Sequence, residues 1–226
     1  MLFKKFSLEP TCLICGKFAS PQQQLCSECD RDFKPLQGGC EVCALPLENG
    51  YRCEACLSKP PYFDKIFCSF IYQGQVACAV KALKYAGKTQ LAAVLVEKSK
   101  TMVWPEASLL IPVPMGFFRR FVRRYNQATL LADVLARELK RPVCLNLLKK
   151  KSFIPSQTRF GYKRRINSVY KAFQIEDNLS VEGHDLLLVD DVVTTGATVN
   201  ECARLLKKQG ANKVYVWAAA RALRRQ

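Results

Sequence analysis

The rhythm of apolar and polar positions changes near residue 60 of this chain. Before it, apolar residues stand singly among turn formers and paired cysteines. After it, two periods alternate. Ile66 to Tyr72 is rich in β-branched and aromatic residues and predicts a strand. Val76, Val80 and Leu83 recur at helical spacing with Gly87 as a C-terminal cap, and Leu91 to Lys98 continues as helix. Leu109 to Val113 predicts a short strand. Ala128, Leu131, Leu135 and Leu139 share one helical face that Pro142 ends, and Val143 to Leu148 predicts another strand. Leu186 to Val189 is the clearest strand. A helix from about Thr198 to Gln209, capped by Gly210, and a strand over Val214 to Ala220 complete the chain. Strands alternating with helices predict an α/β fold, a mostly parallel sheet flanked by helices. Lys59-Pro60-Pro61 marks the join, so a small N-terminal unit at 1–60 precedes an α/β domain at 61–226.

Composition narrows this picture. With 226 residues and 49% hydrophobic content there is room for one full-sized domain and a small second one. No stretch approaches the ~20 apolar residues that span a bilayer. Met1 to Thr11 has Lys4 and Lys5 but no apolar core of signal-peptide length. The expectation is a cytoplasmic protein without membrane insertion, whose thiols stay reduced. The formal charge of +16 attracts polyanions such as nucleic acid and phosphorylated small molecules.

The most informative segment is Leu186-Leu187-Leu188-Val189-Asp190-Asp191-Val192-Val193-Thr194-Thr195-Gly196-Ala197-Thr198. Four apolar residues lead to two carboxylates at a strand's carboxyl end, where open α/β sheets bind ligands. A hydroxyl-and-glycine turn then enters a helix, which directs backbone N–H groups and a helix N-terminus at one spot suited to phosphate. Carboxylates and a phosphate cradle must serve different parts of one ligand. A sugar phosphate satisfies both: the cradle takes the phosphate, and the acids take ribose hydroxyls directly or through Mg²⁺. A phospho-acceptor aspartate is the rival reading, and the Thr-Thr-Gly-Ala-Thr turn argues against it. No Gly-Lys-Ser/Thr follows, so this is no P-loop.

Eight of the twelve cysteines form four Cys-x-x-Cys pairs: Cys12/Cys15, Cys26/Cys29, Cys40/Cys43 and Cys53/Cys56. Two such knuckles complete one tetrahedral Cys₄ site, so two structural Zn²⁺ ions are expected. Sequential sites, Cys12/15/26/29 and Cys40/43/53/56, fit the repetition, and a crossed pairing stays open. A unit this poor in apolar residues needs its metal to fold. Cys68, Cys78, Cys144 and Cys202 stand in apolar contexts as small core residues, and His184 is a turn residue.

Basic residues cluster in two further places. Phe117 to Gln127 carries Arg119, Arg120, Arg123 and Arg124. Leu139 to Ile175 holds no acidic residue and contains Lys149, Lys150, Lys151, Arg159, Lys163, Arg164, Arg165 and Lys171 among Phe153, Phe160, Tyr162 and Tyr170. Cations track a nucleic-acid backbone while rings stack bases, which suits single-stranded DNA. A loop closing over a pyrophosphate wants the same charge. Arg221, Arg224 and Arg225 extend the basic set at the tail.

The thirteen-residue segment resembles the phosphoribosyl-pyrophosphate (PRPP) signature of type I phosphoribosyltransferases at every position. The resemblance implies that Asp190 and Asp191 hold the ribose hydroxyls, the catalytic acids if the protein is an enzyme, with Mg²⁺ accompanying PRPP. Thr194, Thr195, Gly196, Ala197 and Thr198 would wrap the 5′-phosphate. The turn at Met115-Gly116, with Arg119 and Arg123 beyond it, would receive the pyrophosphate. The paired cysteines, Val113-Pro114-Met115 through Arg124-Tyr125-Asn126-Gln127, Pro155-Ser156-Gln157, Arg164-Arg165-Ile166-Asn167 and the signature together resemble bacterial ComF proteins, including their GntX-like branch, over essentially the whole chain. That implies a double zinc ribbon before a type I phosphoribosyltransferase-like domain. It also implies a role with incoming single-stranded DNA in natural transformation, beside recombination-mediator and helicase proteins. Three readings remain at this point: a DNA-handling factor that binds PRPP, an active phosphoribosyltransferase, and a PRPP-responsive regulator.

Overall fold

The computed structural model describes residues 10–49, 51–116, 123–151, 172–176 and 180–223. Six strands and six helices order these residues. In the cysteine-rich part lie α1 (Ser27–Asp30) and α2 (Glu54–Ser58). Then come β1 (Lys65–Ile71), α3 (Gly74–Tyr85), α4 (Leu91–Glu97), β2 (Leu109–Pro112) and α5 (Gln127–Leu139). The chain continues with β3 (Leu148–Lys150), β4 (Phe173–Ile175), β5 (Asp185–Val193), α6 (Ala197–Lys208) and β6 (Lys213–Arg221). Among the described residues no helix is long and apolar enough to cross a membrane.

β1, β6, β5 and β2 form one parallel sheet in that order. The clearest strand in the sequence sits inside it, buried on both faces, which explains its continuous apolar run. Side chains alternate between the faces. Leu187, Val189, Trp217 and Phe70 join the core built with α3, α4 and α5. Leu186, Leu188, Val216 and Cys68 join the core built with α6. At the β2 edge, only Val143 bridges to Leu110. The strand expected over Val143 to Leu148 therefore shrinks to one bridge. Pairing resumes at Leu148, where β3 meets β4 antiparallel in a separate ribbon. Two cysteines also depart from expectation. Cys68 and Cys202 are core residues, but Cys78 is exposed and Cys144 half-buried.

The cysteine-rich segment packs on the sheet rather than standing apart from it. Leu36 N–H donates to Ser69 O at 2.7 Å, and Ile66 N–H to Val42 O at 2.7 Å. These bonds cover the β1 edge, which would otherwise offer unpaired main-chain groups. Phe33 meets Phe70 edge to face, centroids 5.4 Å apart. Asp32 Oδ2 accepts from Gln75 N–H at the start of α3, at 2.8 Å. A Cβ on Gly74, whose φ is +51°, would fall 2.3 Å from that same oxygen, so a side chain there would strain the backbone and displace the Asp32 carboxylate.

Candidate functional site

The sulfurs of Cys12, Cys15, Cys26 and Cys29 lie within 4.8 Å of one another, as do those of Cys40, Cys43, Cys53 and Cys56. The sites are sequential, and the crossed pairing is excluded. Cys15 and Cys26 sulfurs are 3.7 Å apart, and so are those of Cys43 and Cys53. A Zn–S bond of about 2.3 Å in tetrahedral geometry separates sulfurs by about 3.8 Å. Both donor sets therefore fit a structural Zn²⁺. Desolvation raises the Cys12 thiol, but backbone N–H groups of Cys15, Cys26 and Ile14 outweigh it and hold it at about 6. Cys40 follows the same logic at about 7, with amides of Cys53, Cys43 and Val42. Desolvation and neighbouring thiols push Cys29, Cys43 and Cys56 the other way, so those ligands release their protons on binding metal.

The signature segment takes the expected strand–turn–helix form. β5 runs through both acids to Val193. Gly196 then turns the chain at φ +79° as the N-cap of α6. Thr195 Oγ1 accepts from Ala197 N–H at 3.3 Å. First-turn N–H groups of a helix have no partner within it, so this turn faces amides toward the loop. Adjacent strand residues project to opposite faces, so the two acids separate. Asp191 is buried and meets the Lys84 ammonium at 2.7 Å on the α3 side. Asp190 projects to the α6 side and accepts from Asp191 N–H at 2.8 Å. Desolvation, then the Asp191 charge, pushes the Asp190 carboxyl up to about 7, while the Asp191 amide and the charges of Lys84 and Lys150 pull it down.

Lys84 carries no sequence signal beyond a cation in a last helical turn. Its neighbour Tyr85 also enters the region, accepting from Arg123 Nη2 at 2.8 Å with the guanidinium 4.6 Å from its ring centroid. Arg123 also donates to Gln127 Oε1 at 3.2 Å and approaches Met115 Sδ at 3.9 Å. This joins Met115, beside the expected pyrophosphate turn, to α3 and α5. Arg124 takes a left-handed φ of +65° and is exposed, so the two arginines diverge.

The lysine run 149–151 is split by the period of β3. Lys149 pairs with Glu176 and Lys151 is exposed. Lys150 lies over the Phe173 ring, and its Cδ is 3.6 Å from where a Cβ on Gly116 would stand. That places Lys150 beside the Met115-Gly116 turn and within reach of Asp190. Arg221, counted with the basic tail from sequence, is buried at 3% exposure instead. Arg119, Arg120, Arg159, Lys163, Arg164, Arg165, Lys171, Arg224 and Arg225, with Phe153, Phe160, Tyr162 and Tyr170, lie outside the described residues.

Two Cys₄ knuckle pairs beside a parallel sheet with an acid-pair phosphate turn define a double zinc ribbon joined to a type I phosphoribosyltransferase fold. Family models agree: a double zinc ribbon domain matches residues 5–57 and a phosphoribosyl transferase domain matches 126–225. Competence protein F of Haemophilus influenzae is 30% identical over 93% of this chain and 96% of its own length. DNA utilization protein YhgH of Escherichia coli K12 is 29% identical over 88% of this chain and 91% of its own. Competence protein ComFC of Bacillus subtilis is 27% identical over 84% and 80%. The chain belongs to the ComF family.

Proposed function

We propose that this protein binds Mg²⁺-PRPP at the carboxyl end of β5 and handles single-stranded DNA in natural transformation. One observation carries the ligand reading: an acid pair runs directly into a Gly196 turn and a helix N-terminus, with cations on both sides. In this reading Asp190 and Asp191 accept the ribose hydroxyls. Thr194, Thr195, Gly196, Ala197 and Thr198 enclose the 5′-phosphate. Met115, Gly116 and Arg123 face the pyrophosphate; Lys150, from the basic run, and Lys84, which the sequence did not reveal, add charge. Mg²⁺ would neutralise pyrophosphate charge near the acids. The DNA role rests on the names carried by the similar competence and DNA utilization proteins and on the +16 charge. A role inside the cytoplasm, beside recombination-mediator and helicase proteins, follows from that reading.

A second reading, phosphoribosyl transfer to an acceptor, has its own observation. A cleft of about 570 Å³ opens beyond the carboxyl end of β1, walled by Ile71, Gln73 and the ribbon residues Arg31, Lys34 and Leu36. Ile71 is the register partner of Arg221, which in turn pairs with Val193 at the start of the phosphate loop. An acceptor seated there would approach from the ribbon side. Anisotropy of labelled single-stranded DNA, titrated at rising salt with and without Mg²⁺-PRPP, tests the first reading. Binding that weakens steeply with salt is expected. No binding at low salt would remove the DNA role. Pyrophosphate release only when an acceptor is present would establish transfer.

A further inference from the structure

Arg221 closes β6 and is almost wholly buried. Its Nε donates to Cys43 O at 3.0 Å. Its Nη1 donates to Val193 O at 3.0 Å, to Ala222 O at 3.1 Å, and to Thr194 O. One guanidinium thus ties a knuckle of the second cysteine site to the first residues of the phosphate loop. Its hydrogen-bond partners among the described residues are all main-chain carbonyls.

A buried guanidinium is costly without compensating charge nearby. Zn²⁺ held by four thiolates carries a net charge of about −2. The second cysteine site, whose Cys43 carbonyl Arg221 grips, supplies such a charge on one side. A phosphate on the Thr194–Thr198 turn would supply it on the other. The buried Cys68 thiol is within electrostatic reach of Arg221, Cys43 and Asp190. The first cysteine site has no equivalent tie among the described residues. Its links run to the ends of α4, through Lys88, in the turn before that helix, to Leu13 O at 2.7 Å and Lys98, its C-cap, to Asp30 at 2.6 Å.

We propose that Arg221 is a positioning residue coupling the second zinc site to the phosphate loop: zinc at Cys40, Cys43, Cys53 and Cys56 orders Thr194–Thr198, and phosphate bound there retains that zinc. The second half of this coupling rests on PRPP binding at the loop; the first half does not. Coupling between two sites is reciprocal, so each ligand tightens the other by the same factor.

The test uses the full zinc-loaded chain. Amide hydrogen exchange at residues 194–198 is followed without PRPP, before and after zinc is stripped by a chelator. In the wild type, exchange in this loop should rise at least ten-fold on loss of the second zinc. In Arg221→Met the loop should exchange fast from the outset and respond little. In parallel, zinc release to a chromophoric chelator is timed with and without Mg²⁺-PRPP. The ligand should slow release of one of the two ions at least five-fold in the wild type and not in Arg221→Met. Arg221→Lys keeps the charge but not the fork, so it should fall between, and it replaces Arg221→Met if that variant does not fold. A wild-type loop indifferent to zinc would overturn the coupling, as would the same zinc response in the Arg221 variants. If PRPP fails to bind while the loop still responds to zinc, the functional reading fails and the coupling stands.

Discussion

The two halves of the double ribbon are built alike and placed differently. In the first, Cys12 N–H donates to Lys17 O and Gly16 N–H to Cys12 O; in the second, Cys40 N–H donates to Leu45 O and Ala44 N–H to Cys40 O. Cys26 and Cys53 each precede a short helix in extended conformation. The surroundings then diverge. The first site belongs to the core of the α3, α4 and α5 face, whereas the second belongs to the face that carries Leu186, Leu188 and α6. The same knuckle therefore packs with helices on one side of the sheet and with the signature strand's Leu186 and Leu188 on the other.

Removing each site in turn gives the largest contrast. A structural zinc in a small peptide contributes about 10–16 kcal/mol of apparent binding free energy. Cys43→Ser with Cys53→Ser should leave one zinc per chain and weaken Mg²⁺-PRPP binding more than ~100-fold. Cys12→Ser with Cys29→Ser should also leave one zinc and lower the melting temperature, yet keep the dissociation constant within about three-fold. Zinc analysis beside calorimetry checks both, and equal losses of PRPP affinity would break the comparison.

A smaller effect comes from the acid on the second ribbon's face. The Asp190 carboxyl, raised from 3.8 to about 7, opposes folding once ionised. A carboxyl with a raised folded pKa leaves stability highest below its unfolded value, and stability falls as pH climbs toward 7. Asp190→Asn should therefore match the wild type near pH 4. At pH 8 without ligand it should be more stable by about 1–2 kcal/mol, allowing for solvent screening. Denaturant melts at both pH values check this. A variant less stable at pH 8 would mean that the carboxylate is held by partners in the ligand-free fold.

The smallest contrast lies within the knuckles. Gly16 has φ +76°, and Ala44, at the equivalent position, has φ +54°. A left-handed alanine costs about 1 kcal/mol. Ala44→Gly should raise stability by a few tenths to ~1 kcal/mol, and Gly16→Ala should lower it by a similar amount. Nothing stands within 4 Å of a Cβ at Gly16, so only backbone strain would be read. Shifts of the same sign would mean that the knuckles are not equivalent.

Much of this architecture was legible in the chain. The parallel sheet followed from alternating periods, and its central strand was the one read most plainly. Cys-x-x-Cys spacing marked eight thiols, and the fold resolved their pairing. The signature turn fell where the residues put it, between β5 and α6. Other features depended on three-dimensional neighbours. Lys84 is 107 positions from Asp191 and meets it only because α3 and β5 contribute to one core. Lys149, Lys150 and Lys151 read as one basic run, because a charge count ignores the period of a strand. Arg221 read as tail charge because nothing local shows that β6 is the covered neighbour of both β1 and β5. Val143 lost its strand because one main-chain bridge, not a ladder, suffices at the β2 edge.

Calorimetric titration of Mg²⁺-PRPP into the zinc-loaded protein, beside Asp190→Asn/Asp191→Asn, tests the central claim most directly. The expected result is one site per chain in the wild type and no measurable heat in the double variant, which should keep its fold and both zinc ions. Equal affinity in the two proteins, or no binding to the wild type, would contradict the assignment of the β5 turn as a PRPP site.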